Sequence, residues 1–186
     1  MVKATQILLV CFVLSLTGYL LTFSELWETV AISLGITLYH FSMRLAVGSL
    51  LDQKLRNEVD YHCAWFQERS FEPKLYAFAH VRIWKKHMPT FEADLFDLRT
   101  KNLESIVKAT CQAEIVHETC QAEIVHEIII VLSHLPILLG FAIGTWKVLI
   151  GTSVLAALID LLFVMIQRYN RPRLVLLMER WNVRQK

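Results

Sequence analysis

Residues 148–166 read VLIGTSVLAALIDLLFVMI, nineteen positions that carry one charge, Asp160. At 1.5 Å per residue a helix of that length covers about 28 Å, close to the ~30 Å hydrocarbon thickness of a bilayer. A run this long and this apolar reads as a membrane-spanning helix. Working outward, three more windows share its character. Residues 7–23 hold no charged side chain and follow Lys3, residues 26–51 hold only Glu28, His40 and Arg44, and residues 128–141 form an apolar run extended upstream by Ala122 to Val125. The reading is an all-α integral membrane protein of about four transmembrane helices. Its single membrane domain over 1–186 has spans at about 5–23, 27–51, 122–143 and 147–167.

Composition bounds the alternatives. Hydrophobic residues make up 55% of the 186 positions and charged residues 19%, and the mean hydropathy is +0.43. That is too apolar for a soluble enzyme or a disordered chain. The four cysteines (Cys11, Cys63, Cys111, Cys120) contain no C-x-x-C pair, so they read as reduced thiols, with neither a disulfide framework nor a zinc site. A net charge of +2, without a basic cluster interleaved with aromatics, excludes nucleic acid as a partner. The first run has the positive start of a signal peptide, but no A-x-A-like cleavage site follows it, so it reads as a retained span.

Between the second and third spans lies a polar segment, 52–110, in which ten basic and nine acidic residues alternate with Trp65, Phe66, Phe71, Tyr76, Phe78 and Trp84. Cations mixed with aromatics suit an amphipathic segment lying in the headgroup layer on the cytosolic side. A small soluble cap with its own core is the other reading of the same pattern. The tail, 168–186, adds Arg168, Arg171, Arg173, Arg180, Arg184 and Lys186. With four spans, placing both termini in the cytoplasm puts every basic-rich segment on one side.

Residues 110–118 read TCQAEIVHE and residues 119–127 repeat them without change. On one helix nine residues turn by about 900°, half a turn beyond whole turns, so the two copies point in opposite directions. Within each copy Glu and His are three apart, Glu114 with His117 and Glu123 with His126, and share a face. A carboxylate beside an imidazole suits a general base; a helix end whose Glu and His merely cap or snorkel is the plainer meaning. Both copies cannot serve one site, so one works and the other is inert. Paired E-x-x-H motifs also hold di-metal centres, but those use two facing helices, and here both lie on one segment. No metal is expected.

The run Val81-Arg82-Ile83-Trp84-Lys85, then Ala-Glu-Ile-Val-His, then Leu135-Pro136, then Gln167-Arg168-Tyr169-Asn170-Arg171-Pro172-Arg173-Leu174 resembles the glycosyl-4,4'-diaponeurosporenoate acyltransferase family over roughly residues 75–175. The family has one Ala-Glu-x-x-His segment where this chain has two. Counting down from Leu103-Glu104 selects Glu114 and His117; counting back from Leu135-Pro136 selects Glu123 and His126. The resemblance implies a bacterial multi-pass cell-membrane enzyme that esterifies a sugar hydroxyl of a carotenoid glycoside, the last step of staphyloxanthin synthesis. The partners it implies are the lipid membrane, an acyl donor (acyl-CoA or an acyl carrier) and a glycosylated lipid acceptor, with no bound cofactor. Another glycolipid or lipid hydroxyl as acceptor, or a non-catalytic membrane scaffold, are the competing functions.

Such a reaction needs a base for the hydroxyl, a binder for the anionic donor and a donor to the oxyanion. The candidate catalytic residues are His126 with Glu123, His117 with Glu114, and Asn170 beside the Arg171-Pro172 turn. Candidate substrate-binding residues are Arg82, Trp84, Lys85, Arg168, Arg171, Arg173 and Asp160. The arginines serve equally well as positive-inside anchors on anionic lipid. Asp160, costly in lipid by ~2.5–3.5 kcal/mol, is expected to face the bundle, toward His134 or Arg44 or as a pocket wall.

Overall fold

The computed structural model describes residues 2–55, 59–88, 109–143 and 146–184. These form α1 (Val2–Thr22), α2 (Glu25–Leu55), α3 (Glu72–Phe78), α4 (Val81–Trp84) with a 3₁₀ turn at Lys85–His87, α5 (Ala109–Leu132), α6 (Leu135–Ile143) and α7 (Trp146–Arg184). There is no strand among the described residues. Four stretches are long and apolar enough to cross a membrane: Val2–Thr22, Glu25–Leu51, Val116–Phe141 and Trp146–Leu176. Of the segment 52–110, residues 56–58 and 89–108 lie outside the described residues. The side chain of Glu114 does too.

The chain forms two compact units, residues 1–53 with 125–161 and residues 54–124 with 162–186. In the first, α1 is apolar all round and buries only Ser15, while Leu9, Val10, Val13, Leu14 and Leu20 are exposed. That inversion is the pattern of a lipid-facing helix, whose surroundings are as apolar as its side chains. Helices then associate by close packing. A Cβ on Gly18 of α1 would stand 2.9 Å from the Trp27 ring of α2, so glycine is required at that approach. The chain reverses between them at Phe23, a non-glycine residue with φ of 50°, whose N–H donates to the Tyr19 carbonyl at 2.7 Å.

Tyr39 Oη of α2 donates to the Leu132 carbonyl, the last residue of α5, at 2.8 Å. The helix stops there because Pro136 has no N–H and its ring excludes the preceding turn, so α6 starts afresh at Leu135. A Cβ on Gly140 would meet the Trp146 Cα at 3.0 Å, the second place where glycine permits a close backbone approach.

The second unit is built on a small core of Tyr76, Val81 and Tyr169, with Ala79, Trp84 and Met165 against it. Tyr76 and Tyr169 meet edge to face, ring centroids 5.6 Å apart. The turn between α3 and α4 passes through His80 in the left-handed region (φ 51°), where its Nδ1 lies 2.8 Å from the Phe78 carbonyl. Histidine is among the residues that tolerate this conformation better than β-branched ones. Helix α7 does not end with its apolar run. It continues through Pro172 to Arg184, and residues 169 and 171 are buried rather than part of a solvated tail.

Candidate functional site

In the first unit three helices contribute one charged or polar side chain each to a single cluster. Asp160 of α7 is 1% exposed, and Arg44 of α2 is ion-paired to its Oδ2. The same guanidinium donates to the Ala156 carbonyl at 3.2 Å and the His40 carbonyl at 3.3 Å. The other carboxylate oxygen, Oδ1, lies 2.9 Å from Nδ1 of His126 on α5. An ionised carboxylate only accepts, so at this contact His126 Nδ1–H is the donor. Carboxylate, imidazole and the cation that balances them meet in an apolar bundle, an arrangement in which a carboxylate can orient an imidazole ring.

Asp160 therefore meets Arg44 but not His134, whose exposed ring has Nδ1 2.8 Å from the carbonyl of Ile130, on its own segment. His40, one turn before Arg44, is 5% exposed, and neither ring nitrogen has a partner among the described residues.

The second unit holds a different network. Glu123 is fully buried, and its two oxygens receive Arg168 Nη1 and Arg171 Nη2, each at 2.5 Å. Arg168 also donates through Nε (2.9 Å) and Nη2 (2.6 Å) to Glu72 Oε1, and to the carbonyls of Trp65 and Gln67. Arg171 donates to Thr119 Oγ1, the Thr119 carbonyl and the Phe66 carbonyl, all at 3.0 Å. Tyr76 Oη closes the set on Glu72 Oε2 at 2.9 Å. Burial and the neighbouring Glu72 carboxylate push the Tyr76 phenol well above its ordinary range. Two carboxylates and two guanidiniums balance. Because fork-shaped guanidiniums suit planar carboxylates, the pairing is charge-assisted throughout.

This network redistributes the residues singled out in the sequence. Glu123 serves Arg168 and Arg171, and the orienting carboxylate on His126 comes from Asp160, 34 residues further along the chain. Arg168 and Arg171 are committed to protein partners in every direction. Arg173 instead is exposed, with Cζ 3.7 Å from the Tyr169 ring centroid. Lys85 Nζ lies 4.6 Å from the same centroid and donates to Asn170 Oδ1 at 2.7 Å. Trp84 Nε1 donates to the Ala79 carbonyl at 2.8 Å, and Arg82 is exposed. His117 has a buried Nε2 without a partner among the described residues. Glu72 and Tyr76 were not marked by any motif, and Thr119 only as the first residue of the second repeat copy: nothing local separates Glu72 from the other eight acids of segment 52–110.

Neither a curated protein nor a solved structure matches the chain. A protein-family model described as glycosyl-4,4'-diaponeurosporenoate acyltransferase matches residues 62–180. The matched stretch contains Glu72, Lys85, Glu123, His126, Asp160 and the arginines up to Arg180, and it covers more than half of the sequence. The chain belongs to the glycosyl-4,4'-diaponeurosporenoate acyltransferase family.

Proposed function

We propose that this protein is a membrane acyltransferase that transfers a fatty acyl group from an activated donor to a sugar hydroxyl of a glycosylated lipid, with His126 as general base and Asp160 as the residue that positions it. The observation that carries this reading is the 2.9 Å contact between His126 Nδ1 and a carboxylate that is 1% exposed and balanced by Arg44. Family membership supports acyl transfer, and the apolar helices support a lipid-borne acceptor. The termini and the 52–110 segment lie on the cytoplasmic face, as the distribution of Lys and Arg supports.

In the proposed step, Nε2 removes the proton of the acceptor hydroxyl as its oxygen attacks the acyl carbonyl. The tetrahedral intermediate collapses by breaking the bond to the donor's leaving group, which takes the proton back from the imidazolium. The new bond is an ester; no electron is exchanged with a redox partner. Asp160 keeps the ring in the required tautomer and stabilises the transient positive charge.

The test is product formation, read by mass spectrometry, in membranes supplied with a glycosylated carotenoid acid and acyl-CoA. His126→Ala should lower the rate by ~10²–10⁴, with Asp160→Asn falling in the same direction and His117→Ala staying near wild type. Loss confined to His117→Ala would assign the base to the first copy. Retention of full activity in all three variants would leave the chain as a scaffold for another enzyme.

A further inference from the structure

We propose that one face of α3, formed by Phe71, Leu75 and Phe78, is a lipid-docking surface that inserts between the headgroups of the bilayer leaflet beside α7. The composition of segment 52–110 suits both an interfacial helix and a soluble cap. The placement of single side chains separates the two.

The face follows from helix geometry. The Leu75 N–H donates to the Phe71 carbonyl at 3.1 Å and the Ala79 N–H to the Leu75 carbonyl at 2.8 Å, and Phe71 itself has αR angles, so residues 71–79 follow one helical path. At ~100° per residue Leu75 lies about 40° to one side of Phe71 and Phe78 about 20° to the other, which stacks the three in a single stripe. All three are exposed, Phe78 to 82%. Glu72 and Tyr76, about 100° and 140° round from Phe71, are buried, and there Glu72 meets Arg168 and Tyr76 meets Tyr169. Lys74 is exposed and stands about 60° round on the opposite side. Going round α3, a protein-bound sector gives way to an exposed apolar one and then to a cation. That is the order of an interfacial helix, whereas a helix of a soluble cap keeps its exposed sector polar.

The partner follows from where α3 is tethered. Tyr76 and Val81 pack on Tyr169, with Met165 against the same core. Met165 and Tyr169 lie within Trp146–Leu176, the stretch of α7 long and apolar enough to cross a membrane. They flank Gln167-Arg168, where its apolar run gives way to charge. The Arg168–Glu72 pair, 2.6 Å from Nη2 to Oε1, ties α3 to that same turn. A helix braced there lies at the depth where hydrocarbon meets headgroups, so the occupant that fits its apolar stripe is lipid. On α4 the exposed neighbours Arg82 and Ile83 repeat the pairing of a cation with an apolar side chain. Exposed Lys74 and Arg82 suit the phosphates of an anionic leaflet.

The experiment places photoreactive p-benzoylphenylalanine at position 75, 77 or 78 of the full chain, in nanodiscs of phosphatidylcholine and phosphatidylglycerol, and identifies the adducts by mass spectrometry after irradiation. Ala77 is the control, exposed on the same helix but about 120° round from Phe71. Positions 75 and 78 should give phospholipid adducts at least about fivefold above position 77. All three side chains are exposed, so the substitutions leave the core intact, which an unchanged melting temperature checks. Adducts at 75 and 78 to a second copy of the chain or to another segment of the same chain would show that protein covers the face and would overturn the proposal. Lipid labelling that is equal at the three positions, or absent from all of them, would overturn it too. The readout is lipid contact, so it stands whether or not the acyltransferase reading holds.

Discussion

Replacing Glu123 by Gln removes one negative charge from a cluster in which it is fully buried and both of its oxygens are held at 2.5 Å. Of the two guanidiniums, 11% and 3% exposed, Arg168 would keep the Glu72 carboxylate and Arg171 would lose its carboxylate partner, leaving one positive charge buried without compensation. Breaking a buried pair in this way costs ~3–5 kcal/mol. For a chain of this size 1 kcal/mol moves the melting temperature by ~2–4 °C, so the expected fall is about 6–20 °C. The control is already present in the sequence. Glu114→Gln makes the same change in the same nine-residue context, but its position on α5 is about 13.5 Å away along the axis and half a turn round. The Arg168 and Arg171 guanidiniums are held by Glu123 of the second copy, so the loss on Glu114→Gln should be the smaller of the two. Thermal unfolding of the three detergent-solubilised proteins, followed by circular dichroism, decides it. Equal melting temperatures for Glu123→Gln and wild type, or equal losses for the two variants, would refute the assignment of the network to the second copy.

Tyr76 gives a pH dependence whose sign is fixed by its raised phenol pKa. The neutral phenol is favoured in the folded state, so its contribution is complete below the ordinary value of about 10. It is lost as pH rises from there toward the folded value. Denaturation profiles between pH 8 and 11.5 should show Tyr76→Phe with a shallower alkaline decline than wild type, and parallel profiles would contradict the buried Tyr76–Glu72 contact. His40→Leu removes two buried ring nitrogens that have no partner among the described residues and should leave the melting temperature unchanged or raise it, since an unsatisfied buried polar group costs ~1–3 kcal/mol. A marked loss of stability in that variant would mean that the imidazole has a hydrogen-bonding partner after all.

The spans were legible because hydropathy is a local property. A window of about twenty residues either can or cannot sit in hydrocarbon, whatever the rest of the chain does. Four such apolar stretches are observed among the described residues, Val2–Thr22, Glu25–Leu51, Val116–Phe141 and Trp146–Leu176. The break before Pro136 has a local cause too, although the span expected at 122–143 runs through it. The course of α7 beyond its apolar run is not locally set, because Arg168 and Arg171 are tied to the distant Phe66, Glu72 and Thr119.

The candidate site divides along the same line. Sequence spacing placed Glu and His on one helical face twice, and two identical copies cannot be ranked by anything inside them. The contacts of the second copy come from its tertiary neighbours. Thr119 and Glu123 meet Arg171 and Arg168, and His126 meets Asp160. In the same way the sequence supplied three arginines with identical chemistry. Burial against Glu72 and Glu123 consumed two of them and left Arg173 on the ring of Tyr169. Periodicity and hydropathy are sums over neighbours in the chain, and they determined the helices and which residue types were available. An ion pair depends on separation in space, and only the packing of helices more than thirty residues apart decided which carboxylate holds the histidine and which cation stays available.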